Sequence, residues 1–81
     1  MNKNIDYTAL GKRIKNKRIE KGLTQEQLGE LCELSAAHIG HIERGTRILS
    51  VEVLFRISQA LDTSIDWLVL TACLKTPTKP K

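Results

Sequence analysis

The amino-acid sequence predicts an all-α fold, a compact five-helix bundle that contains a helix-turn-helix. Three observations predict it. Helix-capping residues recur at short intervals along the 81 residues, apolar side chains between them stand three or four positions apart, and no segment alternates strictly enough for a strand. A chain of this length forms one domain with one small core. We expect that domain to cover residues 1–74, followed by a flexible basic tail at 75–81.

The first helix is predicted to run from Thr8 to a stop at Gly22. Thr8 is a candidate N-cap, and glycine is typical of the residue that follows a helix C-terminus. Leu10 and Ile14 stand four residues apart and therefore share one helical face. The segment RIKNKRIEK makes this the most basic of the predicted helices.

The second helix is predicted over residues 25–32. Thr24 followed three residues later by Gln27 forms a capping box, in which each side chain bonds the other residue's backbone N–H. This pattern places the start of the helix at Gln25. The apolar residues expected on its inner face are Leu28, Leu31 and Cys32.

The third helix is predicted over residues 36–44, with Ser35 as its N-cap and Gly45 as its stop. Ile39 and Ile42 stand three apart and are expected to point inward. The helix has fewer than three turns, so packing against its neighbours must stabilise it.

The last two helices follow a loop at residues 45–49. Ser50 is the expected N-cap of the fourth helix, and Ser64 begins the fifth, which covers IDWLVLTACL and ends before Thr76 and Pro77. The apolar face of the fourth helix is predicted from its spacing of three, three and four to contain Val51, Leu54, Ile57 and Leu61.

The formal net charge of +4 is distributed unevenly. Residues 1–23 carry +5, residues 24–62 carry −3, and residues 63–81 carry +2. This asymmetry favours a polyanionic partner, although a lysine-rich face also serves solubility alone. The three aromatic residues do not interleave with basic runs, which disfavours RNA and single-stranded nucleic acid.

Other classes of protein are disfavoured by what the sequence lacks. Cys32 and Cys73 are too few for a disulfide scaffold and have no zinc spacing, so we expect two small apolar side chains. No secretory signal or apolar run long enough for a membrane span is present, and we expect a cytoplasmic protein. No nucleophile with an adjacent base, paired carboxylates or phosphate-binding loop occurs, so we expect no enzyme and no cofactor.

The spacing of the second and third helices is the most informative motif. Gly29 provides a small residue across which the next helix packs closely, and a turn at residues 32–34 joins the two, as in a helix-turn-helix at about residues 25–44. The segment GLTQEQLGELCELSAAHIGHIERGTR resembles the Cro/C1-type (XRE) family of DNA-binding regulators. SVEVLFRISQALDTSIDWL resembles the last two helices of that family, and KNKRIEKGLTQ resembles helix one of lambdoid phage repressors. The resemblance covers about residues 8–70.

The resemblance implies a regulator that binds double-stranded DNA as a homodimer through a major-groove recognition helix. Gln25, with Thr24 beside it, would contact a phosphate, which a helix N-terminus favours in any case. The other positions implied to lie on or beside the DNA are Ser35, Ala36, Ala37, His38, Gly40, His41, Arg44, Thr46 and Arg47, the last three as phosphate contacts and His38 near the backbone. Arg18 and Glu43 match positions that pair in such repressors. The alternative for that pair is an ordinary exposed ion pair.

The sequence departs from the family pattern at three places. Glu33 stands where the turn has glycine, so a left-handed conformation there would cost on the order of 1 kcal/mol. Gly29 replaces the usual alanine and lowers helix propensity by ~1 kcal/mol. Ala36, Ala37 and Gly40 offer no side-chain hydrogen bonds to bases, which leaves base reading to His41 and to methyl contacts.

Three alternatives remain open at this level. His38 and His41 share a helix face, but two histidines without a third ligand seldom hold a metal, and we expect none. Helix five has more apolar residues than one buried face requires. The helix therefore either forms a dimer surface or only covers the core of the monomer. A recognition helix with so few hydrogen-bonding side chains also fits a protein-interaction module, such as an antitoxin or anti-repressor adaptor. We expect no small-molecule effector domain within these 81 residues.

Overall fold

The structure, a computed structural model, describes residues 6–46 and 49–73, and the side chains of residues 6–46 and 49–69. These residues form five α-helices and, over the described ranges, no strand. The helices are α1 (Tyr7–Glu20), α2 (Gln25–Cys32), α3 (Ala36–Arg44), α4 (Val51–Ala60) and α5 (Ile65–Cys73). The prediction of an all-α, five-helix fold is therefore confirmed. The expected tail at 75–81 lies outside the described residues.

The start of α1 differs from the prediction. Asp6, not Thr8, is the N-cap: its Oδ1 accepts hydrogen bonds from the backbone N–H of Thr8 at 3.1 Å and of Ala9 at 3.2 Å. The prediction at Thr8 was wrong because a carboxylate two residues earlier satisfies two N–H groups and places negative charge at the positive end of the helix. The stop is as predicted, since Gly22 follows the helix with φ +74°.

The remaining N-caps occur where the sequence predicts them. Thr24 Oγ1 accepts from the Gln27 N–H at 3.0 Å, and Gln27 Oε1 accepts from the Thr24 N–H at 2.9 Å, which completes the capping box. Hydroxyl groups bond the N–H three residues later at the starts of α3, α4 and α5, from Ser35, Ser50 and Ser64 respectively. Each of these bonds spans only three residues, so the N-caps can be predicted from the local sequence.

The core lies at the centre of the five helices, and each helix contributes to it. Its fully buried side chains are Leu10, Ile14, Leu28, Cys32, Ile39, Ile42, Ile57, Leu61 and Leu68. Most of these are the residues that the apolar spacing predicts. α2 packs on α3 and α4, whereas α1 packs on α3 and α5, so the helix-turn-helix is held from both sides.

Two apolar residues predicted on inner faces lie outside. Leu31 is 59% exposed and Val51 is 81% exposed. The buried side of α2 passes through Leu28, Gly29 and Cys32, and Leu31 lies about 100° around the helix from the centre of that side. Val51 is the first residue of α4, ahead of the turns that reach the core.

Two features of the turn explain the crossing of α2 and α3. Glu33 adopts φ +62° and ψ +42°, the left-handed conformation expected where the family pattern has glycine. A Cβ atom on Gly29 would collide with the carbonyl oxygen of Leu34. Glycine at this position therefore allows the turn backbone to lie directly against α2.

The fifth helix packs against the first. Leu68 is fully buried, and the Trp67 ring, 37% exposed, has the Arg13 guanidinium 4.7 Å and the Lys17 ammonium 5.1 Å from its centroid. Cations at these distances from an indole ring are attracted to its face. Trp67 thus helps α5 to cover α1, while the side chains beyond Val69 lie outside the described ones. No helix among the described residues is long and apolar enough to cross a membrane.

Candidate nucleic-acid interface

The buried ion pair of Arg18 and Glu43 joins α1 to the end of α3. Arg18 Nε donates to Glu43 Oε2 at 2.6 Å and Nη2 donates to Oε1 at 3.2 Å, while Nη1 donates to the Leu23 carbonyl at 2.8 Å. The side chains are only 11% and 3% exposed. The pair expected from the resemblance is present, and the alternative of an ordinary exposed pair is wrong.

The same carboxylate also holds Gln25 at the start of α2. Gln25 Nε2 donates to Glu43 Oε1 at 3.0 Å, so Glu43 accepts from residues of both α1 and α2. Gln25 is half-buried as a result. A network of three side chains therefore fixes the N-terminus of α2 relative to α3. The sequence carries no local signal for the contact of Gln25 with Glu43, because the two residues are 18 positions apart.

Thr24 and Ser35 begin the two helices of the motif. Both are exposed, and both use their hydroxyl oxygen to accept a backbone N–H of their own helix. Gln25, the first residue of α2, follows Thr24 directly. Free N–H groups and the helix dipole favour an anion at such an end, which is the physical basis for a phosphate contact there.

The outer face of α3 is nearly free of long side chains at its start. Ala37 is exposed, and Ala36 and His38 are half-buried. Gly40, expected on this face, is instead buried, because the Gln25 amide and the Arg44 guanidinium lie over it. The face thus presents methyl groups first and the Arg44 side chain further along.

The end of α3 carries a second cluster of polar side chains. His41 Nδ1 lies 3.3 Å from Arg44 Nη2 and 3.4 Å from Thr46 Oγ1, and Thr46 Oγ1 donates to the His41 carbonyl at 3.0 Å. Because a guanidinium only donates, the contact with Arg44 makes Nδ1 an acceptor and leaves the proton of the neutral imidazole on Nε2. Arg47 lies outside the described residues.

Two residues of the basic first helix do not face this site. Arg13 and Lys17 direct their cationic groups at the Trp67 ring on the side of α1 that meets α5. Part of the positive charge near the N-terminus is therefore used within the fold. Over the side chains that the structure describes, no group of three or more His, Cys, Asp or Glu residues is placed to hold a metal ion.

Sequence comparison finds relatives among regulators. The helix-turn-helix family model HTH_3 matches residues 14–68. The chain is 36% identical over 55 residues to the transcriptional regulator RamB of Mycobacterium tuberculosis, covering 68% of this chain and 12% of RamB. It is 33% identical over 66 residues to the control protein C.SmaI of Serratia marcescens, covering 82% and 79% of the two chains. The chain therefore spans only about an eighth of RamB but most of C.SmaI.

Solved structures with the same fold include regulators of two kinds. The restriction-modification controller protein C.AhdI of Aeromonas hydrophila superposes with a TM-score of 0.75 at 35% identity, covering 78% of this chain and 96% of that one. The P22 c2 repressor, solved in complex with a synthetic operator, superposes with a TM-score of 0.71 at 32% identity, covering 74% and 91%. Both similarities cover about three quarters of this chain.

Proposed function

Because this chain belongs to the HTH_3 helix-turn-helix family of Cro/C1-type (XRE) transcriptional regulators, we propose that it binds specific sites on double-stranded DNA as a homodimer. The observation that carries the proposal is the Glu43 carboxylate, which holds the Gln25 side chain at the N-terminus of α2. The Gln25 amide and the N-terminus of α2 can therefore both bind a phosphate next to the outer face of α3. The match of the P22 c2 repressor, whose structure contains an operator, supports the same conclusion.

In the proposed complex α3 lies in the major groove and the N-terminus of α2 contacts the DNA backbone. Gln25 and Thr24 bind a phosphate through the amide and the helix N-terminus. The residues proposed to lie along the groove or its edge are Ser35, Ala36, Ala37, His38, Gly40 and His41, and those proposed to follow the backbone beyond α3 are Thr46 and Arg47.

A homodimer is proposed because a single module of this size buries little surface on DNA. A second copy doubles the contacts, and two-fold symmetry matches an inverted repeat. The exposed apolar residues Val51 and Phe55 on α4, 81% and 51% exposed, and Trp67 on α5 provide candidate pairing surface. We also propose that the protein acts in the cytoplasm and that its function requires neither catalysis nor a cofactor.

The experiment that tests the function is selection of bound duplexes from a randomised pool, followed by footprinting of the recovered site on genomic DNA. We expect a two-fold symmetric motif. Gln25→Ala should weaken binding to selected and random DNA alike, because it removes a phosphate contact. Gln27→Ala is the matched control, since it removes a glutamine from the capping box and should lower stability without lowering the affinity of the folded protein for DNA.

The protein-interaction module remains the competing function. Its support is that Ala36 and Ala37 present no hydrogen-bonding groups to a base. If the wild-type protein enriches no motif and binds random duplex no better than Gln25→Ala does, the DNA-binding proposal fails and the interaction module replaces it.

A further inference from the structure

Gly40 leaves a space on the outer face of α3 that the Arg44 side chain fills. A Cβ atom added at Gly40 would lie 3.4 Å from Arg44 Nη1 and 3.6 Å from Gln25 Nε2. Gly40 is buried although it lies on the outer face, and Arg44 itself is exposed. The guanidinium therefore lies over the position from which a longer residue 40 would extend.

The direction of Arg44 follows from helix geometry. Side chains in an α-helix lean toward the N-terminus, so that residue i covers the surface over residue i−4. Arg44 takes this direction over Gly40, where a Cβ atom would be in ordinary contact with it and only a longer side chain would occupy the same space. Its cationic group consequently lies over the middle of the short helix α3 rather than beyond its C-terminal end.

His41 holds the guanidinium in this place. Its Nδ1 accepts from Arg44 Nη2 at 3.3 Å, and the Thr46 hydroxyl lies beside the same nitrogen while donating its proton to the His41 carbonyl at 3.0 Å. With Nδ1 used as an acceptor, Nε2 carries the proton of the neutral ring and is a donor. The Arg44 guanidinium and His41 Nε2 are therefore both hydrogen-bond donors.

We propose that Arg44 is the principal base-reading residue of this protein and that it recognises guanine. The inference rests on the proposed binding of α3 in the major groove, and it replaces the phosphate contact that the sequence resemblance implies for Arg44. Guanine presents the acceptors N7 and O6 in the major groove, and the planar guanidinium fork matches them with two parallel hydrogen bonds. The methyl groups of Ala36 and Ala37 cannot hydrogen-bond to a base. The specific hydrogen bonds to bases are therefore made by Arg44 and His41.

The test compares duplexes selected by the wild-type protein with those selected by Arg44→Ala and Arg44→Lys. We expect the wild type to prefer guanine at one position of each half-site by roughly 10-fold or more. Arg44→Ala should lose this preference and keep the other positions of the motif. Arg44→Lys, which keeps the charge but not the planar fork, should bind random DNA within about twofold of wild type while most of the guanine preference is lost.

A phosphate contact gives a different pattern. In that case Arg44→Ala selects the unchanged motif, affinity falls equally on all sequences, and the slope of affinity against salt falls by about one. That result overturns the inference and leaves the proposed function intact. If the wild type selects no motif, the proposed function fails instead. Melting curves recorded by circular dichroism show that each variant is folded.

Discussion

The Nε atom of Arg18 in α1 lies 2.6 Å from Oε2 of Glu43 in α3, although the two residues are 25 positions apart in the chain. Both side chains are nearly inaccessible to water. Gln25 donates to the other oxygen of the same carboxylate. The pair therefore connects the stability of the fold with the placement of the N-terminus of α2.

Glu43→Ala is expected to lower the free energy of unfolding by about 3 kcal/mol, because it leaves the Arg18 charge buried without its partner. Urea unfolding measures this. Glu20→Ala is the matched control: it removes a carboxylate 3.3 Å from Lys17 in an exposed pair and should cost less than ~1 kcal/mol. Equal effects of the two substitutions would mean that the Arg18 pair is screened by water.

Glu33→Gly is expected to be more stable than Glu33→Ala by about 1 kcal/mol, since only glycine relieves the left-handed strain at φ +62°. Both variants lose the exposed ion pair of Glu33 with Arg56 at 3.3 Å, so their difference isolates the backbone effect. Relative to wild type the gain from glycine should be smaller but positive. Neither variant should change DNA affinity. An alanine variant as stable as the glycine variant would show that the left-handed backbone at residue 33 is not strained.

Gly11→Ala is expected to destabilise the fold by about 1–3 kcal/mol, because a Cβ there would collide with the carbonyl oxygens of Ile42 and Glu43. The helix propensity of alanine acts in the opposite direction by ~1 kcal/mol. Gly22→Ala is the comparison without a collision, since Gly22 lies outside the helix, a Cβ there meets no atom within 4 Å, and only the cost of φ +74° is added. Unfolding midpoints compare them. A Gly11→Ala variant more stable than wild type would show that α1 and α3 approach less closely.

Cys32 is expected to react with a thiol reagent only when the protein unfolds. Its side chain is fully buried, and burial raises the pKa of the thiol above its usual value, with the nearby Arg56 opposing this to a lesser degree. Burial slows the reaction of the native protein in two ways. It keeps the reagent away from the sulfur, and by raising the pKa it lowers the fraction of thiolate, which is the reactive form. A Cys73→Ser variant allows the rate at Cys32 to be measured alone. Rapid modification under native conditions would show that α2 opens locally.

DNA binding is expected to depend on the distance between two half-sites. A dimer on an inverted repeat requires half-site centres about 10 bp apart, so insertion of about five base pairs should turn the second half-site to the opposite side of the duplex and weaken binding strongly. Insertion of a full turn is the control for length alone. Sedimentation gives the stoichiometry, and a monomer bound to one half-site with unchanged affinity would contradict the homodimer.

The sequence by itself determined the features whose hydrogen bonds lie within a few residues. The capping box of Thr24 and Gln27 and the stops at Gly22 and Gly45 were readable because donor, acceptor and backbone preference lie close together in the chain. The periodic spacing of Ile39 and Ile42 predicted their burial for the same reason. The family resemblance added the pair of Arg18 with Glu43.

Only the tertiary structure decided which sides of the helices meet and what covers them. Leu31 has the spacing of a core residue, yet the crossing of α2 and α3 at Gly29 turns it toward water. Arg44 lies over Gly40, and Gln25 bonds Glu43, because packing brings α2 and α3 together at one particular angle and distance. Periodicity states which residues share a helical face, whereas contacts between helices depend on the orientation of all five around one core. The direction of Arg44 over Gly40, on which the proposed base reading depends, is therefore visible in the structure and not in the sequence.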